Sequence, residues 1–344
     1  MKAPIAGLFL LLAAGSSWGQ IANLSGAEVT DNVSISDPAT MARKLDDSWL
    51  AFRMPVLDDT TSPCCWKGNW NQFGESGCSL ASRQNSYGSR SDAPITENLV
   101  VFARVNRDEV LSMRVVGEQC PVEGDGAKVE WLGEVDDEAG LDWLEAVARS
   151  DDPESVRHSA LYAMALHRDE AVTQRLSLMA RDSDSKLQRE SIFWLGEARG
   201  TAGLGQLEQL LDELPRGDLR RELNFAIAQT GTPAASDLLT AISQTDTDPE
   251  QRSGALFWLA QEFPEQARQI LKNVLVEEQD SEVLEQAVFA ISQLPDDMSG
   301  PMLLELARDN QAPREVRRQA LFWIAQSDDE KTIAALADLL TRQP

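Results

Sequence analysis

The side chains in this sequence that could do acid–base or metal chemistry are few. Only two histidines occur, His158 and His167, and they lie nine residues apart near opposite ends of one predicted helix. Histidines that bind zinc together on a helix lie four residues apart, so this pair predicts surface or end-of-helix positions and no metal site. With 56 Asp and Glu in the chain, a pair of carboxylates carries no information about general acid–base catalysis.

The motifs of nucleophilic catalysis and phosphate binding are incomplete. Gly74-Glu75-Ser76-Gly77 resembles the nucleophile loop of trypsin-like proteases, but no histidine precedes it, so a Ser-His-Asp triad of that order cannot be assembled. The Gly-rich segment 200–205 lacks the preceding strand that a phosphate-binding loop needs. We therefore expect no enzyme, no catalytic residue and no cofactor.

Residues 1–19 have the three-part layout of a secretory signal peptide. Lys2 precedes an apolar run over 5–15, and small residues stand at Ser17 and Gly19. The run is too short to span a bilayer, and no second long apolar run follows. We expect an exported protein, periplasmic or extracellular, without a transmembrane segment. Residues 20–40 are polar and predict a disordered tail.

The charge balance narrows the kind of partner. The formal net charge is −25, and removal of residues 1–19 takes away one lysine and no acid, which gives −26. So acidic a chain repels phosphate backbones and anionic lipid, which argues against nucleic-acid and membrane-surface binding. A protein or peptide partner is the expectation that remains.

The cysteines predict two disulfides in an oxidising compartment. All four lie in the N-terminal third, at Cys64, Cys65, Cys78 and Cys120. A bond between adjacent cysteines would be strained, so Cys64 and Cys65 should each pair with one of Cys78 and Cys120. Zinc is the alternative, but the chain has no CxxC pair and no histidine near these cysteines.

Residues 41–135 predict a small, mainly β module held by these disulfides. The segment 49–56 reads as a strand, and 98–105 with 110–116 reads as a hairpin around Asn106-Arg107-Asp108. Between them lies a Gly-, Ser- and Asn-rich segment with Trp66 and Trp70 and no regular period.

The C-terminal part is a repeat. Six segments align without gaps, and their starts are 31, 32, 32, 32 and 33 residues apart. They begin at Val156, Leu187, Leu219, Gln251, Val283 and Val316. Most follow a helix-start signal; Asp152, Asp184, Asp218, Asp248 and Asp280 are the predicted N-caps. Amphipathic stretches lie between the segments, so helices A and B should alternate and share one core.

These features resemble the HEAT-repeat family, in particular the HEAT-like repeats of phycobilisome lyases. The resemblance rests on Asp-Pro-Glu-Ser-Val-Arg at 152–157, on Val316-Arg317-Arg318, and on the recurring Phe-Trp-Leu/Ile-Ala/Gly cores. It covers residues 139–344, about 205 residues. It implies an all-α solenoid of about six A/B helix pairs and a terminal helix, a right-handed superhelix with the B helices on its inner face.

One row of the B helices is a candidate binding surface. With the first residue of each segment as position zero, position six is always aromatic and falls among the polar positions of the helix. The aromatic residues are Tyr162, Phe193, Phe225, Phe257, Phe289 and Phe322. Position ten, one turn on, is Glu197 in the second segment and then an amide, at Gln229, Gln261, Gln293 and Gln326.

Two interpretations of this row stay open. The rings can be buried against neighbouring B helices, as aromatic stripes at helical spacing usually are. Alternatively, they form a partly open apolar strip, edged by amides, that binds an extended or helical segment of another protein. The second interpretation predicts an exported scaffold or adaptor. The alternatives are an accessory lyase-like or chaperone-like protein, which the phycobilisome-lyase resemblance suggests, and a purely structural envelope protein.

Overall fold

A computed structural model describes residues 21, 23–66, 77–82, 86–88, 93–214 and 217–341. By their internal contacts, Met1–Arg168 and Asp169–Pro344 form two compact units. The predicted signal peptide, Trp70 and the protease-like motif up to Ser76 lie outside the described residues, and so does the side chain of Trp66.

The first unit contains ten short strands and three helices among its described residues. The strands are β1 (Leu24–Ser25), β2 (Glu28–Asp31), β3 (Ser48–Pro55), β4 (Cys64–Trp66), β5 (Cys78–Ser79), β6 (Ser86–Gly88), β7 (Asn98–Asn106), β8 (Glu109–Gly117), β9 (Val122–Glu123) and β10 (Lys128–Glu134). The helices are α1 (Pro38–Ala42), α2 (Asp137–Ala148) and α3 (Glu154–Leu166).

A five-stranded mixed sheet in the order β2-β10-β3-β7-β8 forms the centre of this unit. Strand β10 pairs in parallel with β2 and β3, while β3, β7 and β8 pair antiparallel. The β7–β8 hairpin turns at Arg107 and Asp108, both with positive φ (53° and 74°), which matches the twist of two-residue hairpin turns. The predicted strand at 49–56 and the predicted hairpin are confirmed.

The alternation of strand β3 explains how both faces of the sheet are covered. Trp49 and Ala51 lie in the core that contains the buried cysteine side chains. Leu50 and Phe52 are fully buried on the opposite face, where Phe52 meets Trp143 of α2 with ring centroids 5.7 Å apart. Helix α3 packs against β8, so the first helix pair of the repeat region belongs to this unit.

The border between the two units falls after Arg168, whereas the sequence pattern predicts a border between residues 135 and 139. That earlier border marks where the helical repeat begins along the chain, and it stays a prediction.

The disulfides hold the face of the sheet that the helices do not cover. Cys64 is bonded to Cys120, and Cys65 to Cys78, so each of the adjacent cysteines has a distant partner as the sequence predicts. Cys65 and Cys78 are buried in the same core as Trp49 and Trp131.

The described residues from 23 to 40 differ from the predicted disordered tail. Strand β2 pairs in register with β10, Glu28 opposite Lys128 and Asp31 opposite Trp131, and α1 begins at Pro38 with Asp37 as its N-cap. All four residues of β2 are exposed. Their order comes from backbone hydrogen bonds to a sheet edge, which a polar composition does not reveal.

The second unit consists of helices among its described residues. They are α4 (Ala171–Met179), α5 (Ser185–Glu213), α6 (Asp218–Gln229), α7 (Pro233–Thr245), α8 (Pro249–Glu262), α9 (Pro264–Glu277), α10 (Ser281–Ser292), α11 (Asp296–Arg308), α12 (Arg314–Gln326) and α13 (Glu330–Thr341). Helix α5 is interrupted at Gly200 (φ 48°, ψ −129°), so it supplies the B helix of one repeat and the A helix of the next.

The B helices of successive repeats contact one another in chain order, α5 with α6, α6 with α8, α8 with α10 and α10 with α12. Asp184, Asp248 and Asp280 cap their helices as predicted. The other two predicted caps are displaced, because α3 begins after Pro153 and α6 begins at Asp218 itself, after Gly217. Alternating A and B helices with stacked B helices define a helical-repeat architecture.

One buried polar pair lies between repeats. Asn224 and Gln251 are almost fully buried, at positions five and zero, which are apolar in the other five segments. The Asn224 amide nitrogen donates to the backbone and side-chain oxygens of Gln251, at 3.1 and 3.3 Å. Because the two polar residues occur in adjacent repeats and meet, they favour this one register of α6 on α8.

Asn224→Leu should lower the free energy of unfolding by about 1–3 kcal/mol, because it leaves the buried side-chain oxygen of Gln251 without its donor. Gln251→Val should cost less, because the Asn224 amide keeps its hydrogen bond to the backbone oxygen of residue 251. The double variant should lose less than the sum, since it removes both amides together. Denaturant unfolding followed by circular dichroism measures all three variants. Strictly additive losses would contradict the coupling.

Candidate functional site

The candidate site is the row of aromatic side chains on the B helices of the second unit. We call Phe193, Phe225, Phe257, Phe289 and Phe322 the aromatic row. Mostly apolar residues at positions four, five, seven and eight direct the B helices into the core; Leu256 and Leu259, for example, are fully buried. Position six falls off that face, which leaves each ring of the row near the protein surface.

The rings contact one another across repeats in a two-repeat pattern. Phe193 stacks on Phe225 with centroids 6.1 Å apart, and Phe257 stacks on Phe289 with centroids 5.8 Å apart. Trp258 joins these two pairs, because it contacts both Phe225 (4.7 Å) and Phe257 (4.9 Å).

Trp323 repeats this arrangement at the end of the row. It lies between Phe289, at 5.1 Å, and Phe322, at 5.0 Å. The aromatic contacts are therefore continuous from α5 to α12.

Neither of the two interpretations of the row describes its burial completely. Phe193, Phe225, Phe257 and Phe289 are partly exposed, and Phe322 is 50% exposed. Each ring is covered on the side that faces a neighbouring ring and open on another. The result is a partly open apolar strip on a rigid base of packed helices, although its role in binding stays a prediction.

The amides at position ten follow the same two-repeat pattern. Gln229 donates to the Glu197 carboxylate at 3.1 Å, and the side chains of Gln261 and Gln293 hydrogen-bond at 3.3 Å. Gln326 is exposed. An amide that donates one hydrogen bond to its neighbour keeps further donor and acceptor capacity for a ligand. These polar groups lie one helical turn from the rings of the aromatic row, and their role in binding stays a prediction.

Tyr162, the first aromatic residue of the predicted series, lies in helix α3 and therefore in the first unit. Its side chain is partly exposed there.

Two arginines at position one of their segments, Arg220 and Arg252, form hydrogen bonds and ion pairs within the helical repeats. Arg220 donates to the Leu211 carbonyl at 2.7 Å and pairs with Asp246 at 3.3 Å. Arg252 donates to the Asp246 carbonyl and pairs with Glu278 at 2.9 Å. Burial disfavours the Glu278 carboxylate, but the backbone N–H of Asp280 and the Arg252 guanidinium outweigh it and hold the pKa of Glu278 below its usual range.

Among the described residues, the two histidines lie in different environments and do not form a shared site. His158 is exposed on α3, whereas His167 is buried at the end of the same helix with its Nε2 3.3 Å from a carboxylate oxygen of Asp137. The predicted position of His167 at a helix end is confirmed, but its burial was not predicted from the sequence. Three cysteine sulfurs, of Cys64, Cys78 and Cys120, lie within 4.8 Å of one another, but disulfide sulfurs are not thiolate ligands.

Fold and site together define a helical-repeat protein with a partly open aromatic strip. The chain matches no profile of a protein family, and no curated protein sequence is significantly similar to it.

Several solved structures are similar in part to this chain, including the following two. The complex of CpcE and CpcF of phycocyanin lyase from Nostoc matches with 20% identity over 59% of this chain and 88% of that one, at a TM-score of 0.33. Human deoxyhypusine hydroxylase in complex with glycerol matches with 15% identity over 60% of this chain and 92% of that one, at a TM-score of 0.28. Scores this low transfer neither a detailed fold nor a function.

In the part of the chain that the structure describes, no helix combines the length and the apolar character needed to cross a membrane.

Proposed function

We propose that this protein is an exported scaffold or adaptor that binds a segment of another protein along the aromatic row. The observation that carries the proposal is the continuous series of ring contacts from Phe193 to Phe322, with every ring still partly exposed. Aligned apolar surface with a polar edge is typical of protein interaction sites.

The packing beneath the row supports binding with little loss of conformational freedom. The rings are held by stacking on each other and on Trp258 and Trp323, so a partner does not have to order them. Aromatic side chains also contribute more binding energy than most residues when a partner covers them. The exposed Gln261 and Gln326 amides can pair with the backbone of an extended partner segment.

The two disulfides support export to an oxidising compartment, because such bonds persist outside the reducing cytosol.

The test uses the full-length protein as bait in an extract of the envelope and secreted fractions, followed by purification of the captured protein and calorimetric titration. Substitution of Phe257, Phe289 and Phe322 by Ala should weaken binding at least about 30-fold, because the three rings together should contribute about 2 kcal/mol or more. Phe322→Ala alone should weaken it severalfold, and this exposed residue can change with little effect on folding.

The matched control is Leu178→Ser, a change of an exposed apolar residue on helix α4 outside the row. It should leave the affinity unchanged. Equal affinity of the triple-Ala variant and the native protein, with both folded by circular dichroism, would remove the aromatic row as the binding surface.

A further inference from the structure

The second unit contains two ion pairs that follow the same pattern in successive repeats, and we call this pattern the ladder. Arg220 reaches from position one of its repeat to Asp246, the C-cap of helix α7. Arg252 does the same in the next repeat and pairs with Glu278, the C-cap of helix α9. In both pairs each side chain is at most 15% exposed, and the partners are 26 residues apart.

The following repeat has the acid but not the arginine. Position one is Leu284, which is 9% exposed. The acid at the C-cap of helix α11 is Asp309, 25 residues further on. Among the described residues, no lysine or arginine forms an ion pair with the Asp309 carboxylate; Oδ1 accepts only the backbone N–H of Gln311, at 2.8 Å.

A solvent-open cavity of about 590 Å³ lies where the missing arginine would be. Leu284 and Asp309 both line it, together with the apolar side chains of Leu275, Met302 and Leu306. The other charges of its lining are matched, since Lys272 pairs with Glu305 at 3.7 Å and Glu278 pairs with Arg252. The unmatched charge of the cavity is therefore the carboxylate of Asp309.

We infer that this cavity binds an arginine side chain of a partner protein. The guanidinium would pair with Asp309, as the chain's own arginines do with Asp246 and Glu278 in the two preceding repeats. The aliphatic stem would lie along Leu284 and Met302, because long cationic side chains bury their methylene groups against apolar surface. This site does not involve the aromatic row, so either proposal can fail without the other.

The test follows the methyl group of Met302, which is 5% exposed in the cavity wall, by NMR of methionine-labelled protein. The probe is a short Gly/Ser peptide with one central arginine, compared with the same peptide carrying citrulline, which has nearly the same shape without the charge. The arginine peptide should shift the Met302 signal and bind about tenfold more tightly than the citrulline peptide, as expected for a charge-assisted hydrogen bond.

Two variants separate this site from non-specific binding. Asp309→Asn changes an exposed side chain and should bring the two peptides to equal affinity. Leu284→Arg restores the ladder from within the chain, so it should remove the Met302 response and raise the melting temperature. Equal binding of both peptides to the native protein, no Met302 shift at about 20 mM peptide, or a preference for arginine that survives in Asp309→Asn would overturn the inference.

Discussion

Replacement of Cys64 and Cys120 by serine should lower the free energy of unfolding of the first unit by about 4 kcal/mol, because their bond closes a loop across 56 residues. Replacement of Cys65 and Cys78 should cost less, about 3 kcal/mol, because that bond spans only 13 residues. Both estimates follow from the entropy that a cross-link removes from the unfolded chain. Both bonds hold together the core on the face of the five-stranded sheet where Trp49 and Trp131 are buried.

Tryptophan fluorescence during denaturant unfolding measures these losses. Reducing agent should destabilise the native protein and leave a variant without all four cysteines unaffected, which separates disulfide loss from general effects of the reagent. The reverse order of the two losses, or losses within experimental error, would show that the disulfides do not hold this unit together.

The second large effect is expected at Gly196, where helices α5 and α6 approach closely. A Cβ at this position would lie 2.2 Å from the carbonyl oxygen of Ala226 and 2.8 Å from its Cα. The obstacle is backbone, so the helices must separate. Gly196→Ala should therefore destabilise the second unit by about 3 kcal/mol, at the upper end of overpacking costs. The separation should also disturb the stacking of Phe193 on Phe225, which the same two helices carry.

Gly205→Ala in the same helix is the matched control. No atom lies within 4 Å of a Cβ at this exposed position, so alanine should stabilise the helix by about 0.5–1 kcal/mol. Far-UV circular dichroism during denaturant unfolding compares both variants with the native protein. A Gly196→Ala variant as stable as Gly205→Ala would contradict the close approach of α5 and α6.

The repeat region was predictable because its signal recurs. Each segment repeats the same apolar positions at an almost constant spacing, and Asp184, Asp248 and Asp280 mark helix starts by known capping chemistry. The first residue of α6 was not predicted correctly, because Gly217 is the N-cap with φ 122°, one residue before the predicted cap Asp218. Local signals define helices well and their first residues less well.

The first unit was predictable only in part. Strands with short, nearly continuous apolar runs, such as β3 and β7, were evident from their sequence. Strand β2 could not be predicted from the sequence. Its four residues are exposed, and its pairing with β10 depends on backbone atoms about 100 residues away along the chain. The cysteines indicated two bonds, but which of Cys78 and Cys120 pairs with Cys64 depends on how the fold brings distant segments together.

For the candidate site, sequence identified the residues and structure supplied their arrangement. The aromatic row follows from helical periodicity alone. The pairing of Phe193 with Phe225 and of Phe257 with Phe289 depends on distances between neighbouring helices, which no local pattern contains. At position seven of the segments, Trp194, Trp258 and Trp323 alternate with alanine, and this alternation in the sequence indicates a two-repeat unit. In the structure, Trp258 and Trp323 join neighbouring phenylalanines of the aromatic row.

The most direct test of the binding surface replaces Phe257 by the photo-crosslinking analogue p-benzoylphenylalanine in the native host compartment, with the same residue at Leu178 as the control. The proposal predicts that irradiation joins position 257 to one identifiable protein, and that added native protein competes for it. Position 178, exposed on helix α4 outside the aromatic row, should not form this adduct. Identical adducts at both positions, or none at 257, would contradict the claim that the aromatic row binds a partner.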